Sequence, residues 1–430
     1  MRKYSARLFV YWLALLSIAL YVFFSDFLLA TLGLLFLKPV FALGSFFFSG
    51  LYCIISANRI QQMAFLVVPV LLIGIYILFK NSAAISFFYT SVFGVLFIQN
   101  QNIAKKIFLF VFAAQFVLLF YEVLTQSLIY TTVTSGLFRV IEFEQNIEIY
   151  EESGFRAKGL FAGTLVAASF TIYFSFIFRN NIKLAFAAFI MALLVNGRMA
   201  ILMTGIIFCI NLYNYGLAHH VTARTIKVCF FFVLLLILAY IATKAQSSIR
   251  AEHLLNVFNF QSDDNSGRLY RYLTAVQEYF LNYSPLKKIT GGEYELYDVY
   301  GRTVAAESEL IGTLLEAGII GFIWNATAFF LAWKSSDKAL FSPKKVTDRL
   351  ILLLTLLCII EYRHLSGNLR GLMFWFILLT IINDAAHAVR TKTGRMKVKR
   401  KKEGLSNAST GRNIIPVPAS SDCYRETAPC

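Results

Sequence analysis

The segment RLFVYWLALLSIALYVFFS, residues 7–25, contains no acidic residue and carries its single basic residue at its first position. A helix of about 20 apolar residues is long enough to cross a hydrocarbon core of about 30 Å. Basic residues Arg2, Lys3 and Arg7 begin the chain, and bulky aromatic residues occupy the place where a cleaved signal peptide needs small ones. This segment therefore predicts an uncleaved first membrane helix.

Apolar runs of similar length recur along the chain and predict about twelve transmembrane helices. Hydrophobic residues make up 58% of the chain and charged residues only 15%, a composition that excludes the soluble globular class. The second run is over-long and contains Lys38-Pro39, which indicates either a kinked helix or a re-entrant hairpin followed by a span. The fold class is predicted as an all-α polytopic membrane protein, with a helical bundle over 1–389 and a basic, disordered tail over 390–430. The runs lie at 7–25, 28–56, 63–79, 83–98, 107–126, 159–178, 182–197, 199–216, 226–243, 306–333, 349–363 and 369–386.

The positive charge is concentrated in alternate loops. Of the 40 Lys and Arg residues, 25 lie in the N-terminal segment, in every second loop and in the tail. The positive-inside rule then predicts that both termini are cytoplasmic in a multi-pass protein of the bacterial inner membrane. The net charge of +16 therefore indicates membrane orientation and contact with anionic membrane lipids rather than a nucleic-acid partner.

Two long polar loops face outward, into the periplasm, in this topology. They span about 127–158 and 243–306, and the larger one contains a helix-like stretch from Leu269 to Phe280. The six cysteines show no spacing typical of zinc or a disulfide framework. Asp263-Asp264 lacks the alternating acidic pattern of a metal-dependent sugar-nucleotide site. We therefore expect neither a metal nor a cofactor.

Glu307 is the first candidate for chemistry, because it stands where the large loop enters the apolar run 306–333. On a continuous helix, Gly318 and Gly321 would lie about 20° and 40° from Glu307 around the axis. Two glycines on that face would let a neighbouring helix approach closely and fix the direction of the carboxylate. The alternative is that Glu307 merely stabilises the positive end of the helix dipole.

Cations beside the apolar runs are candidates for anion binding. Arg156 and Lys158 immediately precede the run 159–178, and Arg198 separates two further runs. The planar guanidinium group binds phosphate oxygens well, so these residues could hold a diphosphate headgroup. They could equally be interfacial residues whose charged ends reach water, or ion-pair partners of Glu151 or Glu152.

Two further groups of charged residues lie in outward loops. Arg268 and Arg271 are three residues apart, so on a helix they would share one face, directly after the turn-like segment 263–267. That face indicates either an anion site or a solvated amphipathic helix. His364 lies with Arg363 and Arg370 in a short loop, where it is either structural or part of a site.

Four stretches of this sequence resemble the O-antigen polymerase and ligase superfamily. Gly154 to Phe161 resembles the Arg-x-x-Gly start of a central helix, and Asn196-Gly197-Arg198 resembles a Ser-Arg pair between helices. Arg268 to Pro285, followed by Gly291-Gly292, resembles the large-loop pattern. Glu307-Ser308, followed after nine residues by Gly318-x-x-Gly321, resembles the ligase pattern, except that ligases carry His at the position of Glu307.

The resemblance implies transfer of an undecaprenyl-diphosphate-linked glycan to a second lipid-linked repeat unit, with inversion at the anomeric carbon and without a metal. Because Glu307 replaces the ligase His, it implies a polymerase rather than a ligase that transfers glycan to lipid A-core. Glu307 would be the base, and Arg156, Arg198, Arg268 and Arg271 would bind the donor diphosphate, with Lys158 and His364 as further candidates. A chain-length regulator would be a partner.

Two alternatives belong to other classes. A lipid-linked oligosaccharide flippase would fit the same topology, although the ionisable residues concentrate in loops rather than near mid-membrane. A different glycosyltransferase architecture, with its acid in the first outward loop, would make Asp26 the base.

Overall fold

The computed structural model describes most of the helical part of the chain. The described part is almost entirely helical, with two short two-stranded ribbons. It comprises residues 2–56, 60–78, 81–135, 139–142, 157–218, 263–292, 294, 296–297, 303–304, 308–337, 343–361 and 369–384.

The predicted run 226–243 lies outside the described residues. Each of the other predicted apolar runs contains a helix. The agreement follows from length and composition, because a long apolar run satisfies its backbone groups most simply as a helix. The helices of these runs are α1 Arg2–Ala19 (continued by a π turn, Leu20–Phe24), α2 Ser25–Thr31, α3 Lys38–Ser56, α4 Ile60–Leu78, α5 Ser82–Gln99, α6 Gln101–Thr125, α7 Thr164–Ile177, α8 Ile182–Val195 and α9 Arg198–Ala218, and, after the large loop, Glu309–Asp337, Pro343–Glu361 and 369–384.

The over-long run 28–56 is not one kinked helix, because it is divided between α2 and α3; the alternative of a re-entrant hairpin followed by a span stays a prediction. Its first residues complete α2, which ends at Thr31 ahead of Gly33, whose φ is +70°. A short 3₁₀ turn, Leu35–Leu37, then leads into α3. Pro39 stands at the second position of α3, where the missing N–H removes no intrahelical hydrogen bond.

The larger loop contributes its own helices. They are α10 Asp263–Gln277, a π turn Glu278–Asn282 and α11 Pro285–Thr290, followed by a ribbon of β3 Leu296–Tyr297 and β4 Thr303–Val304. The turn predicted at 263–267 is wrong, since these residues form the first turns of α10. The smaller loop contains an antiparallel ribbon of β1 Thr132–Ser135 and β2 Arg139–Glu142.

The last three helices are α12 Glu309–Asp337, α13 Pro343–Glu361 and α14 369–384. Residues 371–381 of α14 are all buried, so this helix lies inside the bundle. A Cβ on Gly94 of α5 would come 2.6 Å from the Trp375 Cβ, which shows how closely α5 and α14 approach. Aromatic rings fill the rest of the core, with Phe112 and Phe174 stacked at 4.0 Å.

Four described helical segments are long and apolar enough to cross a membrane, namely Leu8–Thr31, Leu35–Tyr52, Gln101–Thr125 and Glu309–Ser336. Shorter apolar helices lie beside them, so the chain is a helical membrane protein. The total of about twelve spans and the sidedness stay predictions. Chain contacts divide the protein into Met1–Ile382 and Asn383–Cys430, and the predicted tail lies outside the described residues.

Candidate functional site

The first polar group in the bundle centres on Glu122, a fully buried acid on α6. Its carboxylate accepts hydrogen bonds from three backbone N–H groups, those of Ile129 at 3.1 Å, Lys158 at 2.7 Å and Gly159 at 2.8 Å. Charge-assisted hydrogen bonds of this kind are stronger than neutral ones. Glu122 therefore fixes the chain at the start of α7 to the end of α6.

Gln115 completes this clamp seven residues earlier on the same face of α6. Its amide nitrogen donates to the Lys158 carbonyl at 2.9 Å, and its amide oxygen accepts from the Leu160 N–H at 2.7 Å. Gly159 has a φ of +59°, and a Cβ there would come within 2.6 Å of the Gln115 amide oxygen. The glycine of the Arg156-x-x-Gly159 stretch is thus required both by its backbone conformation and by the clamp.

The Lys158 side chain points into the protein, with none of its surface exposed. Its ammonium lies 3.4 Å from the centre of the Tyr130 ring, a cation–π arrangement. Burial lowers the pKa of Lys158 to about 8, although Glu122 and Asp26 act in the opposite direction. Burial also raises the pKa of Tyr130, and the same two acids raise it further. The Lys158 side chain therefore faces Tyr130 beside the clamp, and its predicted part in anion binding stays a prediction.

Asp26 belongs to the same polar group. Its carboxylate accepts a hydrogen bond of 2.6 Å from the Lys38 ammonium, and the neighbouring Phe27 ring meets the Tyr130 ring edge-on. We call Asp26, Lys38, Gln115, Glu122, Tyr130 and Lys158 the Glu122 cluster. The acid of the alternative glycosyltransferase architecture is thus engaged in an ion pair next to the clamp.

The second feature is a break in α12 at Gly318, where φ is +65° and ψ is −164°. The prediction of one continuous helix face shared by Glu307, Gly318 and Gly321 is therefore wrong, because the helix begins at Glu309 and changes direction at Gly318. Gly321 is required within α12 itself, because a Cβ there would clash with the Ala317 Cβ, whereas its distance of 3.4 Å to the Phe87 ring of α5 is an ordinary contact.

A break in a helix leaves carbonyl groups without their intrahelical N–H partners. Side chains and backbone from three other elements supply these partners here. The Leu315 carbonyl accepts from the Tyr283 hydroxyl at 3.0 Å and from the Gly292 N–H at 2.9 Å. The Glu316 carbonyl accepts from the Asn81 amide at 2.8 Å.

The Tyr76 hydroxyl donates to the Ala317 carbonyl at 2.7 Å. The Asn81 amide also donates to the Thr290 carbonyl of α11 at 3.3 Å. We call this arrangement the Gly318 break. It joins the large loop, the α4–α5 hairpin and α12 at one point.

Glu309, at the first position of α12, is a buried acid with 1% of its surface exposed. The Thr313 hydroxyl donates to its carboxylate at 3.4 Å. Electrostatic interactions link the hydroxyl of the fully buried Tyr173 on α7 to Glu309 and to Arg370 of α14. Buried ionisable groups in a membrane bundle are candidates for function.

The structure describes some of the predicted site residues. Asn196 caps the C-terminal end of α8 with a φ of +57°, and Arg198 begins α9 two residues later. Arg268 lies in α10, and Arg271 is half-buried on the same helix. The side chains of Arg198 and Arg268 lie outside the described residues, as do Arg156, Glu307 and His364 in full. A common anion site formed by the arginines stays a prediction.

Sequence reasoning missed the most densely bonded residues. Gln115 and Glu122 stand seven residues apart within an apolar run, which places them on one helix face. Polar residues at that spacing inside a membrane segment were the available signal. Asn81 had no such signal, because the two carbonyls that accept from its amide lie more than 200 residues away along the chain.

No known family model matches this chain, and neither a curated protein nor a solved structure does.

Proposed function

We propose that this protein is a membrane-embedded glycosyltransferase that joins lipid-linked oligosaccharide repeat units into a surface polysaccharide, as O-antigen polymerases do. The contact between Gly291 and Gly318 is the observation that carries the proposal. These residues belong to two of the stretches that resemble the superfamily, and they meet although 26 residues separate them. The large loop thereby folds back onto the helix that follows Glu307, which the proposed reaction requires.

In the proposed reaction, the acceptor sugar's hydroxyl oxygen attacks the anomeric carbon of the donor glycan. Glu307 takes the hydroxyl proton, and the bond from that carbon to the undecaprenyl diphosphate breaks with inversion. Arg156, Arg198, Arg268 and Arg271 stabilise the negative charge that develops on the leaving diphosphate. With that charge stabilised by cations, the reaction needs no protonating acid and no metal.

In this proposal the Glu122 cluster positions the segment that carries Arg156 and takes no part in the reaction itself. The clamp holds the backbone from Lys158 to Leu160 by hydrogen bonds to two buried side chains. Arg156 lies only two residues before this fixed segment. A rigid support for a phosphate-binding arginine reduces the entropy lost when the donor binds.

Glu309 provides a second carboxylate two residues from Glu307. Its burial near Tyr173 and Arg370 is suited to binding polar groups away from bulk water. The test of the proposal therefore substitutes both Glu307 and Glu309.

The proposal is tested in a deletion strain of the source bacterium, complemented with variants expressed at equal level. Glu307→Gln and Arg156→Ala are expected to leave glycans of a single repeat unit, whereas Glu278→Gln is expected to restore the full ladder of chain lengths. Glu278 is a suitable control because its carboxylate accepts from the nearby Asn282 side chain at the loop surface. Full-length polymer from both Glu307→Gln and Glu309→Gln would contradict the assignment of an acid at this point of the chain.

One observation favours a second candidate, a flippase of lipid-linked oligosaccharides. Broken helices such as α12 are typical of transporter substrate sites. The deletion strain distinguishes the two, because a lost polymerase leaves lipid A-core capped with one repeat unit. A lost flippase or a lost ligase leaves no repeat unit at all.

The proposed orientation places Asp26, Lys158 and the large loop in the periplasm and both termini in the cytoplasm. Its basis is the charge distribution of the sequence.

A further inference from the structure

The large loop carries a row of exposed apolar side chains on one side. Leu273, Val276 and Phe280 follow one another at spacings of three and four residues along α10 and the π turn, a spacing that keeps them on one face. The adjoining face packs Ala275 and Tyr279 into a small core with Leu315 of α12. The exposed set, which we call the apolar stripe, comprises Leu273, Val276, Phe280, Leu281, Leu286 and Ile289.

The apolar stripe lies beside parts of α4 and α12 whose outer surfaces are apolar and exposed. The Thr290 carbonyl accepts a hydrogen bond from the Asn81 amide. Asn81 lies three residues after Leu78, the last residue of α4, and Leu78 is 81% exposed. The carbonyl of Ile289 packs directly against Gly318, and the exposed residues Ile319 and Ile323 follow on α12. The stripe is thus continuous with the apolar surface of the bundle.

Two lysines of α11 border the apolar stripe. The Lys288 ammonium donates to the Phe280 carbonyl at 2.9 Å, and the Lys287 ammonium lies 4.2 Å from the centre of the Tyr283 ring. An ammonium has three N–H donors, of which the Phe280 carbonyl takes one. Lysines beside an apolar surface are typical of segments that bind the headgroup region of a membrane.

We infer that α10, the π turn and α11 lie in the interface of the bilayer, with the apolar stripe among the acyl chains and Lys287 and Lys288 at the phosphates of anionic phospholipids. An exposed apolar surface of this extent is unfavourable in water, and Leu281 alone is 75% exposed. The occupant is the membrane that the bundle itself crosses, and the inference does not depend on the proposed reaction.

Tryptophan fluorescence in proteoliposomes of the full-length protein tests this placement. Phe280→Trp and Leu286→Trp each add one indole to the four native tryptophans, whose emission is subtracted with the unsubstituted protein. Phospholipid brominated on the acyl chain quenches an indole that it touches. We expect the added emission of both variants to lose most of its intensity in brominated lipid.

Thr274→Trp is the matched control, since Thr274 lies on α10 about 100° around the axis from Leu273, outside the stripe. Its added emission is expected to be quenched much less. Equally weak quenching of the added emission in Phe280→Trp, Leu286→Trp and Thr274→Trp would overturn the inference. It would place the loop in water or against another protein. Having two stripe positions guards against a single variant that fails to fold.

The lysines are tested by exchanging the lipid headgroup. We expect stronger quenching of Phe280→Trp by brominated phosphatidylglycerol than by brominated phosphatidylcholine at equal bromine content, because the anionic lipid gathers at Lys287 and Lys288. Lys287→Gln with Lys288→Gln should abolish this difference. A difference that persists in the double variant would overturn the role of the two lysines.

Discussion

The backbone of Gly318 lies against the backbone of Gly291, so that a Cβ on Gly318 would come 2.5 Å from the Gly291 nitrogen. Both residues have positive φ values, +65° and +68°. Neither position accepts a side chain without movement of the other segment. The meeting of the large loop with α12 therefore depends on two glycines that pack as a pair.

Gly318→Ala is expected to lower both stability and polymer formation. The conformation of Gly318, with φ +65° and ψ −164°, is one that essentially only glycine adopts and costs another residue about 1–3 kcal/mol, and the new methyl group must displace the loop backbone. Thermal unfolding of the purified protein in detergent measures the loss. Gly44→Ala on α3 is the control, because nothing lies within 4 Å of a Cβ there; an equal loss in both variants would contradict the prediction.

Asn81→Asp separates the two roles of Asn81. The side-chain oxygen caps α5 by accepting from the Ala84 N–H, whereas the amide nitrogen donates to the Thr290 and Glu316 carbonyls. Aspartate keeps the cap but directs an oxygen at two carbonyls, and each buried group left unsatisfied costs about 1–3 kcal/mol. Asn100→Asp at the cap of α6, where the side chain accepts from the Ile103 N–H, is expected to unfold at nearly the normal temperature. Similar unfolding temperatures for the two variants would count against the donor role of Asn81.

Glu122→Gln is expected to loosen the segment before α7. Glutamine offers one acceptor oxygen, so its amide group would meet a backbone N–H where the carboxylate now accepts. We expect a lower unfolding temperature and shorter glycans, with the protein still inserted in the membrane. Glu278→Gln makes the same chemical change at the loop surface and should change neither property.

The burial of Lys158 makes stability depend on pH. The ordinary pKa of a lysine is 10.5, and the folded protein holds that of Lys158 at about 8. Between these values the unfolded chain binds more protons than the folded one, so the free energy of unfolding rises as pH increases from about 8 towards 10.5. The measurement compares the unfolding temperatures of the unsubstituted protein and Lys158→Met at several pH values. Above pH 8 the unfolding temperature of the unsubstituted protein should rise relative to that of Lys158→Met. A difference between the two temperatures that stays constant with pH would contradict the prediction.

Arg179→Ala is expected to destabilise the protein at a place remote from the proposed site. Arg179 and Asp348 form a buried ion pair of 2.6 Å between the end of α7 and α13. Removal of one partner leaves a buried charge and costs about 3–5 kcal/mol. Arg179→Leu with Asp348→Leu should recover much of the stability, and the glycan made per folded molecule should stay unchanged in both.

The sequence alone predicted where most helices lie, because a membrane helix depends mainly on the length and apolar character of one local segment. Lys38-Pro39 shows the limit of that reasoning, since the start of α3 depends on Gly33 as well as on the proline. Gly318 shows it more strongly. Its pattern with Gly321 fits helix packing and a helix break equally well, and the choice depends on partners from α4, α5 and the large loop.

The candidate site was less predictable than the helices. Lys158 stands out in the sequence as a cation at the edge of an apolar run, yet its side chain turns inward to Tyr130. The backbone N–H of Lys158 is held by Glu122 of α6, which lies 36 residues earlier in the sequence. Local patterns report which residues are ionisable, whereas their neighbours are determined by tertiary packing.

The residues that meet at the Gly318 break lie far apart along the chain, and this has a consequence for synthesis of the protein. Asn81 enters the membrane with the α4–α5 hairpin, but its partner Glu316 follows 235 residues later. At about 5–20 residues per second, the hairpin waits roughly 12–47 s for that partner. During this interval water and lipid headgroups must form hydrogen bonds with the Asn81 amide. They can do so because Asn81 stands at the end of the hairpin. The protein can thus insert its early helices before the residue that joins them to α12 exists.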